Sequence, residues 1–143
     1  MSSAKEKLKV LFLCTGNSCR SQMAEGWAKH LKSDCIEAFS AGVCPIGVSS
    51  RATKVMAEAG VDISMHYSKH VEDLTGLDFD YVVTVCDNAK EQCPVFSGKS
   101  KMIHNEFEDP SFMTGSEEAV LNAFRKTRDQ IKAFIETMPE SLK

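Results

Sequence analysis

The sequence has no excess of positive charge and no long apolar run. Its 143 residues carry 17 Lys and Arg against 20 Asp and Glu, a formal net charge of −3, so no global positive field favours binding to nucleic acid or to an anionic membrane. The apolar run VLFLC at 10–14 is too short for a signal-peptide core or a membrane span. We therefore expect a cytoplasmic protein that binds neither nucleic acid nor membranes.

The chain also lacks internal repeats, low-complexity tracts and a linker that would divide it. We therefore expect a single domain over residues 1–143. Short apolar or β-branched runs alternate with segments of helical period, which predicts an α/β fold with a four-stranded parallel sheet flanked by helices. The strands are predicted at 9–14, 36–42, 81–86 and 101–107, and the helices at 21–32, 49–60, 70–78, 87–93 and 116–138.

Two cysteines fall where a parallel sheet places its ligand site. Cys14 and Cys86 each end a predicted strand, and ligands of such sheets bind at the carboxyl ends of strands, where the strand order reverses. We therefore expect both thiols at the same edge of the sheet.

The segment CTGNSCRS at 14–21 combines a strand end, a tight loop and a helix start. Gly16 and Asn17 are the residue types that most easily adopt left-handed conformations, and a curled loop turns its backbone N–H groups towards one centre that can bind an anion. The helix N-terminus and Arg20 add positive charge that favours a Cys14 thiolate, and Ser21 is placed to donate a hydrogen bond to it. The predicted site is a nucleophilic Cys14 beneath an oxyanion held by Thr15, Gly16, Asn17, Ser18, Cys19 and Arg20.

The segment CDNAKEQCP places Cys86 and Cys93 seven positions apart. Zinc ligands usually come as closer C-x2–4-C pairs with a second pair elsewhere, and no such pairs occur here. In a reducing compartment the remaining interpretations are two buried, inert cysteines or two working thiols. We therefore expect no metal at this segment, and the other two interpretations stay open on the residues alone.

The motif C-x5-R-S directly after the first strand resembles the phosphate-binding loop of the low-molecular-weight protein tyrosine phosphatase family. The longer string CTGNSCRSQMAEGW is similar to the thioredoxin-coupled arsenate reductases that share that fold. The resemblance extends over nearly the whole chain: FSAG at 39–42, VVTVC at 82–86, CP at 93–94, FEDP at 107–110 and RDQI at 128–131. It implies the phosphatase-like fold for this chain.

The resemblance to the reductases implies a three-thiol reaction that converts arsenate to arsenite in arsenic detoxification. Cys14 attacks arsenic, Asp109 protonates the departing oxygen, Cys86 then attacks Cys14, and Cys93 moves the disulfide to Cys86–Cys93. Thioredoxin or a similar dithiol reductant recycles the enzyme, which needs no tightly bound cofactor and acts as a monomer. Cys19 has no shuttle role in this scheme.

The alternative is a low-molecular-weight protein tyrosine phosphatase, since Cys14, Arg20 and Asp109 suffice for phosphoryl transfer. Phosphatases of that family follow the Asp-Pro pair with tyrosines, whereas this chain has Ser111 and Phe112. The sequence therefore favours the reductase, with residual phosphatase activity.

Some of these reductases bind potassium through residues that match Asn17, Glu25 and Ser40. The Asp that completes their site is replaced by Lys69 here. We therefore expect the Lys69 ammonium to take the place of the monovalent cation and to balance the charge of Glu25.

Overall fold

The sheet of this protein has four parallel strands, as the sequence predicts. The computed structural model describes residues 7–86 and 100–143. The strand order is β2-β1-β3-β4, and every neighbouring pair is parallel. The strands are β1 Leu8–Cys14, β2 Ile36–Gly42, β3 Tyr81–Thr84 and β4 Lys101–His104.

The last two strands are shorter than predicted. The sequence predicts strands at 81–86 and 101–107, but regular pairing ends at Thr84 and His104. Beyond these residues the two segments still run side by side, because Phe107 N–H donates to the Val85 carbonyl. Cys86 therefore lies two residues beyond the end of β3.

In the described part of the chain, three α-helices accompany the sheet: α1 Arg20–Leu31, α2 Ser50–Glu58 and α3 Glu117–Glu136. Ser49 and Ser116 cap α2 and α3 by accepting a backbone N–H with their side chains, as their positions in the sequence predict. The stretch 70–78 is not an α-helix. It forms only a 3-10 turn at Val71–Leu74, and a glycine two residues later, Gly76, disfavours continuation.

The predicted helix at 87–93 lies outside the described residues. Within 7–86 and 100–143, none of the helices combines the length and apolar character that crossing a membrane requires.

The core forms around β1, whose residues from Val10 to Leu13 are fully buried. Helix α1 packs on β1, β2 and α3, and α2 packs on α3. The Trp27 indole N–H donates to the Arg128 carbonyl at 3.2 Å and joins α1 to α3. Burial of β1 on both faces explains its continuous apolar run.

The topology places a binding site at the carboxyl end of β1. The chain passes from β1 to β2 on one side and later enters β3 on the other, so the strand order reverses at β1. At this edge Cys14 pairs with Gly42, and Leu13 pairs with Thr84. The loops that follow all three strands therefore meet here.

Candidate active site

The loop between β1 and α1 is built on the backbone of Asn17. Among the described residues, Asn17 is the only non-glycine residue with a positive φ, 48°. The sequence assigned left-handed freedom to Gly16 as well, but Gly16 is not in that region. A Cβ on Gly16 would lie 2.9 Å from Ile46 Cγ1, so a larger residue there would have to displace the exposed Ile46 side chain.

The carbonyl groups of the loop are bonded outward to the segment that follows β2. Val43, Cys44, Ile46 and Ser49 donate their backbone N–H groups to the carbonyls of residues 14, 15, 16 and 18, at 2.8–3.2 Å. We call residues 43–49 the bracing segment. Because the carbonyls point outward, the loop can turn its N–H groups inward, as an anion site requires.

Cys14 ends a chain of hydrogen bonds that fixes the direction of each donor. Lys69 N–H donates to Asn17 Oδ1 at 2.9 Å, so the Asn17 amide turns its Nδ2 to Ser21 Oγ, at 2.8 Å. Ser21 Oγ lies 2.8 Å from Cys14 Sγ, and both residues are buried. Because the hydroxyl oxygen already accepts from Asn17, its own hydrogen is available to the sulfur.

Arg20, at the start of α1, contacts the Asp-Pro turn rather than the centre of the loop. Its guanidinium donates to the Phe107 carbonyl at 3.0 Å and to Asp109 Oδ2 at 3.1 Å. Within the described part of the chain, Arg20 Nε is buried and has no hydrogen-bond partner. A buried, unsatisfied guanidinium N–H is unfavourable unless a ligand accepts from it, so this atom suits a site that binds an anion.

Asp109 is held at the edge of the same site by several donors. Besides Arg20, the backbone N–H and the hydroxyl of Ser111 donate to its Oδ1, at 2.9 and 2.7 Å. Pro110 begins a 3-10 turn that Asp109 caps. The structure thus brings Asp109 next to the loop that carries Cys14, 95 residues earlier in the chain.

Cys19 is a buried thiol that contacts Asp109 Oδ1, at 3.7 Å. Burial, together with the negative charges of Asp109 and Cys14, raises the pKa of Cys19 to about 12. Cys19 therefore keeps its proton at neutral pH and is a poor nucleophile. That it takes no part in a thiol shuttle stays a prediction.

Cys86 reaches the loop although it lies beyond the strand. Its Sγ is 3.2 Å from Thr15 Oγ1, and the residue is buried. The adjacency of β1 and β3 brings this about, since Thr15 follows Cys14 directly. The sequence places Thr15 among the oxyanion-binding residues but gives no sign of this contact, which depends on the chain path after β3. Cys93 lies outside the described residues.

A cavity of about 830 Å³ opens over the loop. Cys14, Cys86, Arg20 and Asp109 contribute to its wall. Ile46 and Phe112 stand at its rim, 75% and 82% exposed. Four of the six catalytic residues predicted from the sequence therefore face one space; Ser21 lies behind Cys14, and Cys93 lies outside the described residues.

The charge of Glu25 is balanced by a residue that the sequence analysis missed. Lys29 Nζ and Ser40 Oγ both donate to the buried Glu25 carboxylate. Lys69 was expected to make this contact, but its ammonium donates to the Tyr67 carbonyl at 2.9 Å and lies over the Tyr67 ring. The signal was present in the sequence, because a Glu four residues before a Lys on a helix commonly pairs with it.

Lys69 nevertheless remains within the electrostatic influence of Glu25. Burial lowers the pKa of Lys69, while the negative charge of Glu25 raises it in opposition. Within the described residues, no three His, Cys, Asp or Glu side chains are grouped as a metal site would require.

The chain matches the model of one protein family, described as low molecular weight phosphotyrosine protein phosphatase, over residues 9–143. Among curated proteins, it is 41% identical to the arsenate reductase of Halalkalibacterium halodurans over 135 residues, covering 94% of this chain and 97% of that protein. It is 42% identical to the arsenate reductase of Bacillus subtilis over 132 residues, covering 90% of this chain and 95% of that protein.

Solved structures of arsenate reductases and phosphatases are similar to this chain along nearly its whole length. An arsenate reductase in the phosphate binding state superposes with a TM-score of 0.81 at 33% identity, covering 95% of this chain and 99% of that chain. A low molecular weight protein tyrosine phosphatase from T. tengcongensis superposes with a TM-score of 0.71 at 34% identity, covering 94% and 99%. These likenesses confirm the phosphatase-like fold predicted from the loop motif.

Proposed function

Because this chain belongs to the low molecular weight phosphotyrosine protein phosphatase family, we propose that it uses the family's loop for arsenate reduction, as an arsenate reductase of arsenic detoxification. The observation that carries this proposal is the position of Cys86 Sγ, 3.2 Å from Thr15 Oγ1 in the loop that begins with Cys14. Hydrolysis of a phosphate ester needs one nucleophilic thiol, whereas reduction of arsenate needs a second thiol close to the first.

Arsenate has the shape and charge of phosphate, so the loop from Thr15 to Arg20 binds it through backbone N–H groups and the guanidinium. The Cys14 thiolate attacks arsenic and an As–O bond breaks opposite to it. Asp109 protonates the departing oxygen, which leaves as water. The Ser21 hydroxyl, 2.8 Å from Cys14 Sγ, orients and stabilises the thiolate before the attack.

Binding of arsenate requires Arg20 to change partners. In the structure Arg20 is paired with Asp109 at 3.1 Å, and a carboxylate held by a guanidinium does not readily donate a proton. When Arg20 turns to the oxyanion, the Asp109 carboxyl is released from the guanidinium and can contact the oxygen that departs from arsenic. Substrate binding thereby prepares the acid that the first step needs.

In the second step Cys86 attacks Cys14 Sγ. The S–As bond breaks and its electron pair stays on arsenic, which is reduced from the pentavalent to the trivalent state and leaves as arsenite. The two thiols are oxidised to a Cys14–Cys86 disulfide. The Thr15 hydroxyl supports this step, because it holds Cys86 beside the loop.

Cys93 then attacks Cys86 and releases the Cys14 thiolate, and the Cys86–Cys93 disulfide is reduced by thioredoxin or a similar dithiol protein. All electrons come from that dithiol, so the enzyme needs no tightly bound cofactor. The proposal places this reaction in a single-domain monomer over residues 1–143, in the cytoplasm, where the thiols stay reduced between turnovers.

The test is NADPH oxidation coupled through thioredoxin and thioredoxin reductase, with and without arsenate, for the wild type and for Cys→Ser variants. Variants at Cys14, Cys86 and Cys93 should each lose multiple turnover, while Cys35→Ser, a cysteine remote from the cavity, should keep it. Arsenate-dependent oxidation that survives Cys86→Ser would exclude the shuttle.

A second activity, hydrolysis of aryl phosphates, is supported by the rim of the cavity. The aromatic side chain of Phe112 is 82% exposed there and follows Asp109 by three residues, so it can contact the aryl leaving group that Asp109 would protonate. Release of p-nitrophenol from p-nitrophenyl phosphate should require Cys14 and Asp109 but not Cys86. Its loss in Cys86→Ser would contradict this assignment.

A further inference from the structure

The bracing segment donates hydrogen bonds to the carbonyls of residues 14, 15, 16 and 18 but not to the carbonyl of Asn17. Asn17 is fully buried and has a φ of 48°, a left-handed conformation that asparagine adopts more readily than most non-glycine residues but that the surrounding contacts must still hold in place. Its carbonyl points away from the centre of the loop and needs donors of its own. These donors are Gln22 Nε2 at 3.1 Å and Ser68 Oγ at 2.7 Å.

Gln22 joins the loop to a second segment of the chain. It lies in the first turn of α1 and is fully buried. Its Nε2 donates both to the Asn17 carbonyl and to the Tyr67 carbonyl, at 3.1 and 3.0 Å. Both amide hydrogens of Gln22 therefore donate to carbonyl groups. If the amide were flipped, its Oε1 would face these two carbonyl oxygens and no hydrogen bond could form.

His66 fixes that orientation. Its Nδ1 lies 3.0 Å from Gln22 Oε1, and an amide oxygen only accepts, so the imidazole must carry its hydrogen on Nδ1. Burial lowers the pKa of His66, so at neutral pH the ring is in its neutral form, in which one nitrogen alone can donate. The contact with Gln22 selects that nitrogen.

We propose that Gln22 and His66 are positioning residues that hold Asn17 in the conformation in which the loop binds an oxyanion. Gln22 and His66 act through the backbone carbonyl of Asn17. The hydrogen bonds from Lys69 N–H and to Ser21 Oγ act instead through the side-chain amide of Asn17. This inference rests on the proposed function only in taking 14–20 as the oxyanion-binding loop. Arsenate reduction itself is not part of its test.

The experiment measures the dissociation constant of inorganic phosphate by isothermal titration calorimetry, together with the melting temperature of each variant. Gln22→Leu should weaken phosphate binding about tenfold, as expected from the loss of one buried hydrogen bond. His66→Leu should weaken it about threefold to tenfold, because the Gln22 amide is then free to turn. His66→Asn, whose side-chain N–H can replace Nδ1–H, should stay within about twofold of the wild type.

Gln130→Leu, at an exposed glutamine of α3, is the control and should leave phosphate binding unchanged. Measured well below the melting temperature, a purely structural role would lower stability without changing the dissociation constant. The inference is overturned if His66→Leu binds phosphate like the wild type, or if His66→Asn binds it as weakly as His66→Leu. The His66 pair decides the matter even if Gln22→Leu does not fold. Tight phosphate binding without arsenate reduction would instead refute the proposed function alone.

Discussion

Replacing Asp109 with Asn should improve anion binding while it destroys turnover. Arg20 contacts Asp109 at 3.1 Å, and the two side chains are only 10% and 18% exposed, so solvent screens this pair weakly. An incoming oxyanion must compete with Asp109 for the guanidinium and also meets the negative charge of Asp109 itself. The Asp109→Asn substitution would remove the negative charge, leave a weaker neutral acceptor for Arg20 and keep the shape of the side chain.

The magnitude follows from the strength of a hydrogen bond to a charged group, about 1.5–3 kcal/mol. Part of it is retained because Arg20 also donates to the Phe107 carbonyl. We therefore expect a gain of about 1.4 kcal/mol, which corresponds to about tenfold tighter phosphate binding. Turnover of arsenate should fall by about 10²–10⁴, the usual contribution of a general acid.

Phosphate titration by calorimetry and the thioredoxin-coupled assay measure the two effects on the same samples. Asp129→Asn is the matched control, because Asp129 pairs with its neighbour Arg128 on the exposed side of α3, and it should change neither quantity. Phosphate binding that is unchanged or weaker in Asp109→Asn would show that Arg20 does not exchange partners, and the reasoning would fail.

Three further predictions concern pH, packing and ions. The pKa of Cys19 is raised from an ordinary 9.0 to about 12, so between these pH values the folded state keeps a proton that the unfolded chain loses. The free energy of unfolding, measured with urea, should therefore fall from pH 9 towards pH 12 more steeply in the wild type than in Cys19→Ala. A Cβ at Gly42 would lie 2.7 Å from the Thr15 carbonyl oxygen and 2.8 Å from Asn17 N. Gly42→Ala should therefore displace the loop, weaken phosphate binding about tenfold or more and lower the free energy of unfolding by about 1–3 kcal/mol. Retention of wild-type affinity would contradict the packing argument. Because an ammonium already contacts Glu25, potassium in place of sodium at fixed ionic strength should not raise the rate of arsenate reduction, and a clear rise would refute this.

The strands and the loop could be predicted because they depend on local patterns in the sequence. The apolar run of β1 predicts a strand buried on both faces, and the spacing from Cys14 to Arg20 predicts a loop between that strand and a helix. Both depend on residues close together in the chain. The serine caps of α2 and α3 are of the same kind.

The contacts that distinguish this site depend on residues far apart in the chain. The Arg20–Asp109 pair and the approach of Cys86 to Thr15 join positions 89 and 71 residues apart, and no local pattern reports such distances. Gln22 gave no signal for a similar reason, since a polar residue in a first helical turn ordinarily faces solvent. Its side chain instead contacts His66 and the Tyr67 carbonyl, 44 and 45 residues later in the chain.

The bracing segment also means that the fold, and not the ligand, restricts the conformation of the loop. Its four backbone bonds to the loop carbonyls are made within the chain itself and use no ligand atom. A tetrahedral oxyanion has few atoms and makes few contacts, so it has little interaction energy to spend on ordering a flexible loop. Because the order is already present, that energy can appear as affinity for the anion and as alignment with the Cys14 sulfur.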